Sequence, residues 1–419
     1  MFVLISYLVI NVLISVFFER RKWRVATVAH AAAFTVLLVM VLAAHGGPII
    51  EKGLSTLLSA QGYRMLREAV LSSDVVELGP IMAVEMALPI LMIAASVITT
   101  LGVIEKVRAI KKERDEKLSR AEKELFGVKF PNPVGVAAGL DKNGDHYNDL
   151  ANFGFGFVEI GSLTPKPQDG NPAPRLFRLP KDNALVNRMG INNLGIRHAL
   201  ENLKREHPKV VVAASISKNA DTPNELAHKD FARSVALLYD FVDFFVLNVS
   251  CPNVEGLQHL QEGSMLAQVI DSVNEVRRYN EFSRPVLLKV SPDMDHSQLD
   301  QIIHLALMGG IDGIVATNTT HSRDGLKSSE KTLRSIGEGG LSGAPLFKKS
   351  LETVSYIHQK SNNLLPIIAS GGIMTPNDAL QMMDAGASLV EVYTGFIYNG
   401  PCFAKRIIRQ MKKQKRQKK

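Results

Sequence analysis

The sequence predicts an α/β protein: a closed (β/α)8 barrel with an inserted β-hairpin, preceded by about three transmembrane helices. Eight short runs rich in Val and Ile recur between residues 134 and 393, separated mostly by helix-length segments. Parallel strands buried on both faces read this way. Eight βα units in about 280 residues is the (β/α)8 pattern. The membrane part rests on residues 2–18, 25–44 and 81–104, which are almost wholly apolar. A helix needs about 20 apolar residues, and at least about 17, to cross the hydrocarbon core of a bilayer.

The 419 residues suffice for one large domain and an addition, and two cysteines exclude a disulfide framework. The net charge of +8 is concentrated at residues 19–24 (ERRKWR), 106–117 and 405–419. These clusters are not interleaved with aromatic residues, so no nucleic-acid partner is expected. The first two abut apolar runs and suit the lipid bilayer surface.

Taken in order, residues 1–105 form the membrane region. The first run lacks a basic segment before it, and its positive charge follows, which argues for an anchor over a cleaved signal peptide. Buried core helices are the competing reading for the second and third runs; length and basic flanks oppose it. Placing both basic clusters in the cytoplasm puts the N-terminus and loop 51–79 outside. The expected localisation is thus a multi-pass inner (cytoplasmic) membrane protein with everything after Lys106 in the cytoplasm. Residues 53–73 have the spacing of an amphipathic helix lying on the bilayer, and Glu85 in the third run marks a cavity or the interface.

Residues 106–125 are a charged, helix-prone connector. The barrel follows over 126–404, with strands expected at 134–138, 157–160, 210–216, 244–249, 286–290, 313–316, 366–369 and 389–393. Residues 175–186 (RLFRLPKDNALV) break the alternation and read as a hairpin over the barrel mouth. The tail, 405–419, ends KKQKRQKK and reads as disordered or held against anionic lipid.

Polar residues gather at one end of nearly every strand, where a barrel of this kind places its active site. They are Ala138-Gly139-Leu140-Asp141-Lys142, Gly161-Ser162, Ser215 with Ser217 and Lys218, Asn248 with Cys251 and Asn253, Lys289, Thr317-Asn318-Thr319, Ser370-Gly371-Gly372 and Tyr393-Thr394-Gly395. The glycines after the last two strands, with Gly343, let backbone approach a phosphate. Lys289 and Lys142 are cations at inward strand ends. Each either pairs with a carboxylate, as Asp141 could for Lys142, or holds negative charge on a ligand. Asn187, Arg188, Met189, Gly190, Ile191, Asn192 and Asn193 add amides and a cation beside the hairpin. That set suits a small, flat, amide-rich ligand, and no metal site is expected.

In order along the barrel stand FPNPVGVAAGLDKNG, EIGSLTPKPQDGNPAPRLFRL, NRMGINNLG, NVSCPN, KVSPD, ATNTT, GGLSG, SGGI and YTGF. With these motifs the chain resembles the dihydroorotate dehydrogenases, specifically the membrane-associated, quinone-linked class (class 2), over roughly residues 126–401. The resemblance implies a TIM barrel with FMN that oxidises dihydroorotate to orotate in pyrimidine (UMP) biosynthesis and passes electrons to a membrane quinone. It implies FMN contacts from Ala138, Gly139, Ser162, Asn248, Lys289, Thr317, Gly343, Gly372, Tyr393 and Thr394, beside which Lys142, Ser215 and Gly371 also stand at strand ends. It implies that Lys142, Asn187, Arg188, Met189, Gly190, Ile191, Asn248, Asn253, Asn318 and Thr319 hold dihydroorotate. Cys251 falls at the catalytic base, and Lys289 would stabilise charge on the reduced ring.

Three departures stand out. The quinone-linked class usually carries serine at the base position, and cysteine is typical of the soluble classes. Ser215 replaces an asparagine that the class offers to FMN. Three apolar runs replace the usual short amphipathic helical pair. A soluble-type enzyme using fumarate or NAD and merely tethered to the membrane is therefore the alternative: Cys251 favours it, and the hairpin motifs and apolar runs oppose it.

Overall fold

The computed structural model describes residues 123–250 and 263–417. The three apolar runs, the loop 51–79, nearly all of the connector, Cys251 and Asn253 lie outside the described residues. Among the described residues no helix is long and apolar enough to cross a membrane.

The strands in chain order are Lys123–Leu125 (β1), Val128–Phe130 (β2), Val134–Val136 (β3), Phe157–Leu163 (β4), Leu176–Leu179 (β5), Ala184–Asn187 (β6), Val211–Ile216 (β7), Phe244–Asn248 (β8), Val286–Val290 (β9), Gly313–Ala316 (β10), Gly340–Gly343 (β11), Ile367–Ser370 (β12) and Leu389–Val392 (β13). Eight of them, β3, β4, β7, β8, β9, β10, β12 and β13, pair in parallel and close when β13 meets β3. These are the eight expected strands, with ends moved by a few residues.

Alternation along each strand divides the core in two. Val158, Ile160, Val212, Ala214, Leu247, Leu288, Ile314 and Val390 face outward and join the layer under the helices. Phe157, Ala213, Val246, Leu287, Val315, Ile368 and Leu389 face inward and fill the lumen. The β1–β2 hairpin plugs the end of the lumen away from the strand C-termini. It brings Phe130 within 5.4 Å, ring to ring, of Phe157 and 5.9 Å of Phe244. Burying each such ring contributes about 1.5–3 kcal/mol. Gly135 is required beside this plug, because a β carbon there would lie 2.3 Å from the Phe157 ring. Lys123 and Glu124 are thus strand residues, not the end of a helical connector: Leu125 and Val128 pack on the lumen cluster and pull the chain into a hairpin.

The insertion over residues 175–186 is a hairpin, β5 with β6, and it gains a third strand that the sequence did not suggest. β11, from between β10 and β12, pairs antiparallel with β6. Its own small core holds Leu179, Val186 and Leu341. Asp182 in the hairpin turn accepts from the backbone N–H groups of Lys327 and Ser328 and from the Ser328 hydroxyl. Burial pushes its carboxyl up, but these hydrogen bonds outweigh it and hold it below the usual range.

The expected basic tail is a helix over nearly its whole length. Phe403–Gln417 is α-helical, and Phe403, Ala404, Ile407, Ile408 and Met411 are buried in the outer core. Those positions repeat at helical spacing, so one stripe closes the barrel wall while the Lys and Arg residues stand between them.

Candidate active site

The lumen changes character two residues further along each strand. Above Phe157 comes Glu159, above Ala213 Ser215, above Val246 Asn248, and above Leu287 Lys289. Above Val315 comes Thr317, above Ile368 Ser370, and above Leu389 Glu391. A period of two puts each of these side chains on the lumen side, so an apolar layer is capped by a polar one. All seven are buried.

One cation and two carboxyls share this layer. Lys289 Nζ lies 3.4 and 3.3 Å from the oxygens of Glu159 and 4.0 Å from Glu391 Oε2. Lys289 is 6% exposed and Glu391 1%. Burial first, and then repulsion from Glu159, raises the Glu391 carboxyl well above the usual carboxylate range, against the pull of Lys289. The expected alternatives for Lys289, an ion pair or a charge aimed at a ligand, are therefore not exclusive: it has a carboxylate partner and also lines the cavity above.

That cavity has an empty volume of about 1070 Å³, counting the open space at its mouth. On one side an amide and hydroxyl chain crosses the floor. Asn318 Nδ2 donates to Asn248 Oδ1 (3.3 Å) and to Ser250 Oγ (3.1 Å). Asn248 Nδ2 donates to Ser162 Oγ (2.8 Å), which lies 2.8 Å from Ser215 Oγ. On the other side the loops after β12 and β13 expose backbone. Gly371 and Gly372 have φ of +113° and +75°, and a β carbon on Gly372 would lie 2.2 Å from Phe347 Cα. Ser342 Oγ on β11 meets Thr394 Oγ1 at 2.8 Å, fastening the inserted sheet to the start of the helix after β13. Burial pushes the Tyr393 hydroxyl up.

The cavity is lined by most of the residues expected from sequence. Ala138, Gly139, Lys142, Ser162, Asn248, Lys289, Thr317, Gly343, Gly371, Gly372, Tyr393 and Thr394 line it. So do Asn187, Met189, Ile191, Asn318 and Thr319. Three others are not brought to it. Ser215 is fully buried, and its hydroxyl is taken by Ser162. Arg188 turns away: its guanidinium stacks on Phe177 at 4.6 Å and donates to the carbonyls of Ile336 and Glu338. Gly190 packs against Asn171, whose backbone N would be 2.7 Å from an added β carbon. The Asp141 carboxylate accepts from the N–H groups of Asp145 and His146, so it orders the loop that carries Lys142.

Sequence reasoning missed Glu159 and Glu391. The available signal was a single carboxylate inside an otherwise apolar strand, in FVEIG and in LVEVY. It also missed the apolar rim of Leu176, Leu185, Leu346 and Ile373.

Comparison with known proteins gives a consistent result. The family model described as Dihydroorotate dehydrogenase matches residues 120–414. A protein of Christiangramia forsetii named dihydroorotate dehydrogenase (quinone) is 46% identical over 298 residues, covering 71% of this chain and 86% of that one. One of Coxiella burnetii with the same name is 46% identical over 288 residues, covering 68% and 82%. Among solved structures, DHODH from Eimeria tenella in complex with ferulenol is 36% identical with a TM-score of 0.65, covering 70% of this chain and 84% of that one. The ligand-free form is 38% identical with a TM-score of 0.65, covering 70% and 86%.

Proposed function

Because the chain belongs to the dihydroorotate dehydrogenase family, in its quinone-linked class, we propose that its cavity is the site of that reaction. The protein oxidises dihydroorotate to orotate and passes the electrons to a quinone, a step of pyrimidine biosynthesis. The observation that carries this reading is the juxtaposition of a glycine cradle, a cation over a buried carboxyl pair, and an amide chain around one cavity.

The residues present fit FMN. Gly343, Gly371, Gly372 and Thr394 leave backbone open for a phosphate. Ala138, Gly139, Ser162, Asn248, Thr317 and Tyr393 border the space for a flat ring. When bound, the flavin accepts the hydride that leaves the substrate. Lys289 supplies positive charge beside it, where negative charge develops. Lys142 holds the substrate carboxylate. Asn187, Asn248, Asn253 and Asn318, with Thr319, hold its ring amides and carbonyls, while Met189 and Ile191 cover its face. The Cys251 thiolate takes a proton from carbon 5 of the substrate. The family match through the hairpin motifs favours quinone over fumarate or NAD as acceptor. The apolar runs before residue 105, as multi-pass helices of the cytoplasmic membrane, bring the barrel to a bilayer-dissolved quinone.

Titration with orotate tests the substrate side. Wild-type protein should perturb its flavin spectrum saturably. Lys142→Ala should retain the flavin and lose at least tenfold in orotate affinity. Equal affinity in the two proteins would remove Lys142 from the substrate site.

A further inference from the structure

The polar floor of the cavity holds three ionisable groups, and they do not balance. The titratable groups facing Glu391 are Lys289 from β9 and Glu159 from β4; its strand neighbours present Ser370 and Gly135. Lys289 sits closer to Glu159, at 3.3 Å, than to Glu391, at 4.0 Å. By strict hydrogen-bond geometry neither Glu391 oxygen has a partner among the described residues; what acts on it is Glu159 beside it, the Ser370 hydroxyl, and Lys289 from a distance. A second carboxylate buried there, with one hydroxyl and a share of a cation that sits closer to Glu159, would be an undercompensated charge, which a protein interior neutralises by protonation.

We propose that Glu391 is a positioning residue that holds a proton beneath the cofactor cavity, so that Glu159 and Lys289 form a closed ion pair and the floor is neutral. Glu391 releases that proton in alkaline solution only while the cavity above carries no added negative charge. Then the floor becomes net negative and disfavours an anion above it. Reduction of a bound flavin places negative charge there. In the alkaline range it therefore draws one proton from solvent back onto Glu391. Two-electron reduction takes up one proton on the ring itself in either protein; the O–H on Glu391 is the one bond formed in addition, and the electrons come from dithionite. The inference rests on flavin occupying the cavity but not on dihydroorotate being the substrate.

The experiment uses flavin-loaded full-length protein reduced by dithionite, so the substrate assignment is not involved. Infrared spectra of the oxidised wild type at neutral pH should show a carboxylic-acid C=O band that is absent from Glu391→Gln, which preserves shape and stays neutral. The flavin midpoint potential is then measured against pH. Wild type and Glu391→Gln should run together at neutral pH. Above a break the wild type should fall by up to a further tenfold in the reduction equilibrium per pH unit, about 30 mV for a two-electron couple. Absence of the infrared band from wild-type protein would overturn the proposal, and that arm needs no variant to fold. Potentials that coincide over the whole pH range with flavin bound in both proteins would overturn it too. Protein that binds no flavin would overturn this proposal together with the cofactor reading on which it rests.

Discussion

Replacing Lys289 by Met removes the one cation from the floor of the cavity and leaves its volume nearly filled. Glu159, fully buried and 3.3 Å from that cation, loses its counter-ion. It is left as a buried carboxylate without its partner, and removing one partner of a buried ion pair costs about 3–5 kcal/mol. Adding Glu159→Gln removes the stranded carboxylate, and the double variant should recover nearly all of the loss. Both proteins lack Lys289, so any change in cofactor binding that Lys289 causes cancels between them. Urea unfolding followed by circular dichroism at about pH 7 measures the difference. A single variant as stable as the double one would refute the charge balance drawn for this layer.

Three other expectations are independent of that balance. Gly372→Ala puts a β carbon 2.2 Å from Phe347 Cα at a φ of +75°; it should cost about 1–3 kcal/mol in unfolding free energy and lower the flavin-to-protein absorbance ratio of the purified enzyme. Cys251→Ser should keep its flavin but turn over more slowly, most visibly near neutral pH, because a hydroxyl is a far weaker acid than a thiol near 8.5; pH–rate profiles that superimpose would remove Cys251 as the base. Deleting residues 1–105 should abolish reduction of a bilayer quinone while sparing reduction of a soluble dye, and loss of both in a folded, flavin-loaded protein would count against a role for that region in quinone access.

The barrel was legible because strands covered on both faces need apolar side chains at nearly every position, and runs such as Gly313–Ala316, or Val286–Val290 apart from Lys289, carry that requirement on their surface. The strand ends were legible for the complementary reason: polar groups right after such a run have few places to point except the barrel mouth. What stayed hidden depended on distance along the chain. Glu159 and Lys289 are 130 residues apart, and nothing local to either names the other. Arg188 misled because its neighbours Asn187 and Met189 do line the cavity. The ring of Phe177 and the carbonyls of Ile336, at a helix end, and Glu338 turn it the opposite way. β11 was hidden inside a glycine-rich stretch, Gly339-Gly340-Leu341-Ser342-Gly343, whose pairing partner lies some 150 residues earlier. In the C-terminal segment the density of Lys and Arg masked a five-residue apolar stripe, since net charge says nothing about which face of a helix is buried.

The most direct test records the visible spectrum of full-length protein in detergent, adds dihydroorotate without oxygen, and then offers a quinone, fumarate and NAD⁺ in separate runs. The account predicts that dihydroorotate bleaches a flavin band and that quinone alone restores it. Restoration by fumarate or NAD⁺ instead would contradict the quinone-linked assignment, and a band that dihydroorotate leaves unbleached would contradict the reaction itself.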